Sequence, residues 1–140
     1  MPLFRRHDGD LVRGEPAMRR IMPYVMRTRN ESVVFHDSVY RMPAALEWMK
    51  AYNRAHDRRA TLFHLFTYAR GQALHARPQL NRFVSGGRFY QRRGVQVAFL
   101  VKRELSDDGV GTTVKLEIVR EEPFPEFVAR LHAVIEAARG

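Results

Sequence analysis

The sequence predicts an α+β fold, in which a mixed, largely antiparallel sheet carries about three helices on one face. Three stretches place apolar residues at helical spacing, following Pro43, Thr61 and Pro123 in turn. Two other stretches, 95–101 and 114–118, alternate apolar and polar side chains, which is typical of strands. Helical and strand patterns thus both occur along the chain, and neither dominates.

The N-terminal part of the chain predicts little regular structure. Residues 1–20 are rich in arginine and are interrupted by glycine and proline, so we expect an irregular basic arm. Residues 32–41, with the sequence SVVFHDSVYR, are rich in β-branched and aromatic side chains and alternate two sets of them. This composition favours a strand over 32–41.

Local signals define the three helices. Pro43 suits the first turn of a helix that continues to about Ala55. Thr61 is a good N-cap for the next helix, which Pro78 must end because proline lacks the N–H of a helical residue. Gly71 lies inside this second helix, where glycine costs about 1 kcal/mol relative to alanine. We therefore expect another element to approach the helix closely at Gly71.

Two hairpins are predicted. Strand residues around Phe83 run into the turn Ser85-Gly86-Gly87, and Arg88–Gln91 return antiparallel. The alternating stretches 95–101 and 114–118 pair in the second hairpin, over a loop at 106–111 that is rich in acidic residues and glycine.

Composition limits the class of protein. The chain has 140 residues, of which 45% are hydrophobic, and this is the size of one ordinary domain, so we predict a single domain over 1–140. Its longest apolar runs fall far short of the roughly 20 residues that span a bilayer, and no apolar segment follows the charged N-terminus as in a signal peptide. Without cysteine, the chain has no disulfide, thiolate nucleophile or cysteine-type zinc site. We expect a cytoplasmic protein without membrane contact.

The net charge of +9 raises the possibility of a nucleic-acid partner. However, the arginines are scattered in pairs along the chain and do not form one stripe, and no nucleic-acid motif accompanies them. Nucleic acid is therefore an unfavoured partner, although nucleotide-bearing partners such as coenzyme A would also be attracted to such a surface. The pairs are Arg5-Arg6, Arg19-Arg20, Arg58-Arg59 and Arg92-Arg93, with Arg27 and Arg29 close together.

The most distinctive stretch is Leu74–Lys102, LHARPQLNRFVSGGRFYQRRGVQVAFLVK. It resembles the catalytic domain of 2-oxoacid dehydrogenase acyltransferases, which belongs to the chloramphenicol acetyltransferase-like superfamily. In that family a helix ending in RPxLN runs into a strand and a basic, aromatic turn. The resemblance extends from about Arg19 to Arg139, with RRIMPYVMRTRNES, TLFHLFTYARGQAL and VQVAFLVKRELSDDGVGTTVKLEIV in the family's order.

The resemblance implies a fold and a chemistry. The family's members have a mixed sheet flanked by helices and usually assemble as trimers, with each active site between subunits. They transfer an acyl group from the thioester of coenzyme A or lipoamide to a thiol or hydroxyl, with a histidine as general base. That histidine lies in an HHxxxDG motif, which this sequence does not contain. The resemblance therefore covers the N-terminal portion of the family's domain, and no catalytic residue is assigned in this chain.

The six histidines offer no obvious replacement for that motif. On a strand, His36 and Asp37 would point to opposite faces, and such neighbours in loops are usually solvated. His64 and His75 lie about three helical turns apart, so one metal ion cannot bridge them. We interpret His64 and His75 as histidines whose ring nitrogens bond to backbone groups, and we predict no metal site. Three adjacent pairs resemble dyads only superficially: His7-Asp8, His36-Asp37 and His56-Asp57.

Other candidate sites have simpler structural interpretations. Ser85-Gly86-Gly87-Arg88 is a hairpin turn by position and does not open a helix, so it is no phosphate-binding loop. The amide of Asn81 is interpreted as structural. The aromatic residues are interpreted as core residues, although they could also line an acyl channel. Three acidic residues have no partner at a spacing that the sequence makes recognisable: Glu31, Glu47 and Glu104.

Three functions remain open. The first is a noncatalytic structural or assembly module of acyltransferase-like fold, either as a homo-oligomer, a trimer by resemblance, or in a larger assembly. The second is a split acyltransferase completed by another chain, in which coenzyme A or lipoamide would carry the acyl group. The third is a basic module that binds a polyanion, and its binding would weaken steeply with salt.

Overall fold

The computed structural model describes residues 6–102 and 111–139, which divide into two compact units. The first unit comprises residues up to Arg41 together with Arg77–Arg93, and the second comprises Met42–Ala76 and the residues from Gly94 onward. Among the described residues, no helix is both long and apolar enough to cross a membrane. Each unit is α+β, which confirms the predicted fold class.

The first unit contains a three-stranded antiparallel sheet in the order β1-β3-β2 and one α-helix. Strand β3 is central and pairs Leu11 of β1 and Phe83 of β2 with the same residue, Tyr90. Short 3₁₀ turns precede residue 33 and strand β2. The elements of the first unit are β1 (Gly9–Leu11), α1 (Ala17–Val25), a 3₁₀ turn (Asn30–Ser32), a second 3₁₀ turn (Pro78–Asn81), β2 (Arg82–Ser85) and β3 (Arg88–Arg92).

The predicted turn between β2 and β3 is confirmed. Gly86 and Gly87 both have positive φ angles, +56° and +70°, a conformation that glycine adopts without steric cost and that joins two strands tightly. A Cβ atom on Gly87 would lie 2.6 Å from the Tyr24 hydroxyl. Glycine at position 87 therefore also lets helix α1 pack directly onto the turn.

The predicted strand over 32–41 is wrong. Residues 33–42 have no regular secondary structure, and no described strand pairs with them. Most of their apolar side chains are exposed, with Phe35 at 91% and Val39 at 99%. A β-rich composition produces a strand only where another strand supplies hydrogen-bond partners, and this segment has none within the described ranges.

The second unit contains a two-stranded antiparallel sheet and three helices. Its core is centred on Ile118 and on Phe127, Val128 and Leu131 of the last helix, which are 0–1% exposed. The second helix passes so close to Ile118 that a Cβ atom on Gly71 would lie 2.4 Å from its Cγ2, so the close approach predicted at Gly71 is confirmed. The elements are α2 (Pro43–Ala55), α3 (Leu62–Ala76), β4 (Gln96–Lys102), β5 (Gly111–Glu117) and α4 (Phe124–Arg139).

The second predicted hairpin is also confirmed. Strands β4 and β5 pair with Val97 opposite Leu116 and Phe99 opposite Val114, so the alternating apolar residues share one face. Ile118 continues the pairing by donating its N–H to the carbonyl of Val95 at 2.8 Å. The loop predicted at 106–111 lies outside the described residues, apart from Gly111.

The arrangement differs from the predicted single sheet with about three helices. The described residues form two small sheets and four α-helices. Strand β1 and the start of α1 fall within 1–20, the segment expected to be irregular. Helix α1 was not predicted because Pro23 lies inside it, although its apolar residues do recur at helical spacing.

Candidate functional site

The three adjacent histidine and aspartate pairs do not form dyads. Asp8 accepts hydrogen bonds from Arg6 at 2.8 and 3.0 Å, and this partner lowers the pKa of the carboxyl group to about 2. The His56 ring stacks on Tyr52 with centroids 4.1 Å apart, and its Nδ1 lies 3.0 Å from the Tyr52 carbonyl oxygen. His36 lies in the exposed segment without regular structure.

His75 is held by the backbone, as the sequence predicts. Its Nε2 donates to the carbonyl oxygen of Ile118 at 2.7 Å. The carbonyl of His75 in turn accepts from Arg120 at 3.1 Å. His75 therefore joins the end of α3 to the residue that follows β5, which is a structural role.

His64 supports the start of the same helix. Its Nδ1 accepts the backbone N–H of Thr61 at 3.2 Å and lies 2.8 Å from the Thr61 hydroxyl. A backbone N–H can only donate, so Nδ1 is unprotonated and the neutral ring carries its proton on Nε2. Helix α3 begins directly after Thr61, as predicted, and His64 in the third helical position accepts the N–H of Thr61, as the corresponding residue of a capping box does.

The other side of His64 faces His132 of α4. The two rings stack with centroids 5.0 Å apart, while His132 donates from Nε2 to the carbonyl oxygen of Arg59 at 2.8 Å. His64 is only 5% exposed, and its Nε2 has no hydrogen-bond partner in the described part of the chain. Burial, assisted by His132, lowers the pKa of His64 to about 4.

This cluster of Thr61, His64 and His132 has the contacts of a helix cap. A hydroxyl beside an imidazole is also the arrangement of a nucleophile and its general base. A base with a pKa of about 4 is, however, far too weak to remove a hydroxyl proton near neutral pH. The cluster therefore stabilises the start of α3 and offers no activated nucleophile. The sequence could not reveal the pairing of His64 with His132, because the two residues lie on helices far apart in the chain.

The interpretation of Glu31 as a residue without a partner is wrong. Its carboxylate accepts the backbone N–H of Thr28 at 2.8 Å, and the Thr28 hydroxyl accepts the N–H of Glu31 at 3.4 Å. These reciprocal bonds are a capping box for the turn Asn30–Ser32, and the bond from Thr28 lowers the pKa of Glu31. The signal was present in the sequence as Thr28-x-x-Glu31. The prediction on Glu104 falls outside the described residues.

The aromatic side chains pack mainly on one another. Phe63 meets Phe99 edge to face with centroids 5.3 Å apart, and Tyr68 lies 5.4 Å from Phe127. In the first unit, Phe83 stacks on Tyr90 at 5.4 Å. These contacts agree in part with the interpretation of the aromatic residues as core: Tyr90 is 4% exposed, but Phe63 and Phe66 are 45% and 51% exposed.

The first unit contains a basic groove. It has a volume of about 630 Å³ and lies between the residues that follow β1, helix α1 and the β2–β3 turn. The groove is lined by Arg13 after β1, Arg20 of α1 and Arg88 at the start of β3, together with apolar side chains. No group of three or more metal-ligating side chains occurs in residues 6–102 and 111–139. The arginines and apolar side chains of the groove are suited to an organic anion.

The carboxylate of Glu15 does not neutralise this groove. Glu15 also lines it, but it forms ion pairs with Arg82 and, at 3.1 Å, with Arg19. The guanidinium groups of Arg13 and Arg20 form no ion pair within the described ranges. The groove thus keeps an excess of positive charge.

Comparison with known proteins does not place the chain in a family. No family model, curated protein or solved structure matches it.

The exposed apolar segment Val33–Tyr40 is the second unusual surface. Val34, Phe35, Val39 and Tyr40 are 71–99% exposed, although an apolar side chain of this size is worth about 1.5–3 kcal/mol when it is fully buried. Single exposed apolar residues are common, but four within eight positions are the composition of an interaction surface.

Proposed function

We propose that this chain is a noncatalytic assembly module of acyltransferase-like fold, related to the chloramphenicol acetyltransferase-like superfamily, and that it self-associates through Val33–Tyr40. The observation that carries the proposal is the exposure of this segment, in which Phe35 and Val39 are more than 90% exposed. Pairing with a second chain would remove this apolar surface from water.

The backbone of the segment supports the same proposal. Val33 is in an extended conformation with φ −78° and ψ 127°, and the residues after it make no ladder with any described strand. Backbone that joins no ladder leaves N–H and C=O groups that can pair with another chain. The β-branched and aromatic residues of this segment would then form a strand that pairs with another chain.

Charge favours a second copy as the occupant. The chain carries a net charge of +9, so most of its surface repels another copy. Val33–Tyr40 contains one acidic residue, Asp37, and neither lysine nor arginine. Two copies meeting at this segment would avoid placing arginines against one another.

The acyltransferase-like origin rests on sequence features whose local structure agrees with it. The helix before RPxLN ends at Ala76, and the basic, aromatic stretch after it forms the hairpin β2–β3. The long hairpin that follows is β4–β5. The absence of HHxxxDG from the sequence and the engagement of His64 and His75 in structural bonds support a noncatalytic role.

Self-association is tested by sedimentation and light scattering over a wide range of concentrations. We expect a concentration-dependent oligomer for the wild type and a monomer for the double variant V34D/V39D, because a buried carboxylate in the interface is costly. V119D is the matched control, since Val119 is 49% exposed and lies outside the segment. A wild type that stays monomeric at every concentration, or a control that dissociates equally, would contradict the proposal.

A further inference from the structure

We propose that the basic groove of the first unit binds a small phosphorylated molecule that carries an apolar or aromatic group. This site goes beyond the proposed assembly function and does not depend on it. The inference starts from the convergence of Arg13, Arg20 and Arg88, which come from three elements, on one groove. Arginine is suited to this ligand because its planar guanidinium group donates two parallel hydrogen bonds to phosphate oxygens.

The electrostatics of the groove favour an anion. Its one carboxylate, that of Glu15, is already shared between Arg19 and Arg82. Arg13 and Arg20 have no ion pair in the described part of the chain, so a bound phosphate would not have to displace an internal partner of either. A dianionic phosphate would be attracted more strongly than a carboxylate.

The apolar and aromatic residues that line the groove favour a ligand with an apolar or aromatic group. Ile21, Tyr24 and Phe89 offer apolar and aromatic surface beside the arginines. Ile21 is 52% exposed and Tyr24 is 62% exposed, so both are accessible to a ligand. Inorganic phosphate would leave this surface uncovered, whereas an aryl or alkyl phosphate would cover it.

The local backbone holds the groove open. Tyr24 rests on the β2–β3 turn, where Gly87 has no side chain to displace it. Gly14 also lines the groove with a φ of +81°, and a Cβ built on it would have no atom within 4 Å. The backbone at Gly14 is therefore open to a ligand atom.

Size argues for a small molecule over a nucleic acid. A groove of about 630 Å³ lies within the range of about 300–1,000 Å³ that is usual for sites of small ligands. A nucleic acid would need a longer track of cations, and the arginines outside the groove are scattered along the chain.

The test is a titration of the full chain with phenyl phosphate, in which binding is measured by calorimetry and by NMR shifts of the backbone amides. We expect saturable binding, with the largest shifts at Gly14, Tyr24 and Gly87. Phenol and inorganic phosphate are the comparison ligands, and both should bind more weakly because each lacks one half of the recognised chemistry. Equal affinity for inorganic phosphate, or shifts spread over the whole surface, would overturn the inference.

Substitutions of exposed arginines test whether phenyl phosphate binds in the groove, and they do not disturb the core. We expect R13Q and R20Q each to weaken binding of phenyl phosphate by about tenfold, the usual effect of losing one charged hydrogen bond. R29Q removes the same charge from an exposed residue of the first unit that does not line the groove, and its affinity should change less than twofold. R20K keeps the charge but not the paired donors, and we expect it to recover only part of the affinity.

Competition with a short single-stranded oligonucleotide tests whether the phosphate that the groove binds belongs to a small molecule or to a nucleic acid. We expect it to compete weakly with phenyl phosphate at moderate salt. The oligonucleotide could instead bind tightly, with R29Q and R20Q weakening its binding equally. That result would show a diffuse polyanion-binding surface in place of this site. Failure of phenyl phosphate to bind at all would also overturn the inference, and neither result would bear on self-association through Val33–Tyr40.

Discussion

At the scale of single residues, Gly71 shows how one missing carbon atom permits a packed core. Glycine normally weakens a helix, and the sequence alone indicates only that something approaches it closely. The structure identifies the neighbour as Ile118, which is 1% exposed and cannot move away without disturbing the core.

We expect Gly71→Ala to lower the free energy of unfolding. The added Cβ would lie 2.4 Å from Cγ2 of Ile118, and overpacking of this kind costs about 1–3 kcal/mol, more than the gain of about 1 kcal/mol in helix propensity. Urea unfolding of G71A, I118A and the double variant measures the coupling between the two side chains. The double variant should be more stable than the sum of the two single changes predicts; simple additivity would argue against this contact.

His64 is the second residue whose environment decides its behaviour. Its neutral ring accepts the N–H of Thr61, and its pKa is lowered from 6.5 to about 4 by burial next to His132. The helix cap therefore depends on a ring that stays unprotonated in the fold.

We expect the free energy of unfolding to decrease as the pH falls from 6.5 to 4. Within this window the unfolded chain binds a proton at His64 that the folded chain does not, so lowering the pH favours unfolding. The contribution of His64 is at most about 3 kcal/mol. His64→Asn keeps an acceptor but cannot be protonated, so its stability should depend less on pH. His7→Asn replaces an exposed histidine as the control, and an unchanged pH dependence in H64N would contradict the assignment.

At the scale of the elements, the ends of the helices followed from local chemistry. Pro43 begins α2, Thr61 caps α3, and α4 starts directly after Pro123. Each signal acts on backbone groups within one turn, so no knowledge of the tertiary structure was needed. The strand predicted over 32–41 is wrong for the opposite reason, because a strand needs a pairing partner and the sequence of the segment itself cannot supply one.

The junction between β5 and α4 contains an ion pair in which the carboxylate of Glu122 is buried and the guanidinium of Arg130 is partly exposed. Glu122 is 7% exposed and accepts from Arg130 at 2.6 and 3.0 Å, while the same arginine donates to the carbonyl oxygen of Glu117 at 2.6 Å. The Tyr68 hydroxyl also donates to the Glu122 carbonyl oxygen at 2.6 Å. Arg130 thus connects the end of the strand to helix α4, which supplies Phe127, Val128 and Leu131 to the core.

We expect Arg130→Ala to destabilise the second unit by about 2 kcal/mol, because it leaves the carboxylate of Glu122 buried without its cation. Thermal unfolding followed by circular dichroism measures the change. Arg139→Ala, on an exposed position of the same helix, is the control and should have little effect. Glu122→Gln in the R130A background should recover part of the loss, since the uncompensated charge is then absent; no recovery would count against this account.

At the scale of the whole molecule, residues distant in the chain combine into surfaces that no local pattern indicates. The groove takes arginines from three elements, and the contact of His64 with His132 joins α3 to α4. Two of the described histidines have contacts that do not suit a general base, because His75 donates to a backbone carbonyl and the pKa of His64 is too low.

We expect the purified chain to transfer no acetyl group from acetyl-CoA to a thiol or to lipoamide. The measurement is the release of free coenzyme A compared with a reaction without protein, and H64N should behave like the wild type. Turnover above this background that is abolished by replacing one histidine would disprove the noncatalytic role.

By itself, the sequence determined the α+β class, the bounds of three helices and the two hairpins after residue 78, because capping, proline and alternation act over a few neighbouring residues. The tertiary structure decided that the strands form two sheets, that Val33–Tyr40 has no strand partner in the described ranges, and that Arg13, Arg20 and Arg88 share a groove. These features depend on contacts between residues far apart in the chain. Such contacts are selected by packing and by hydrogen-bond partners, and no local pattern specifies them.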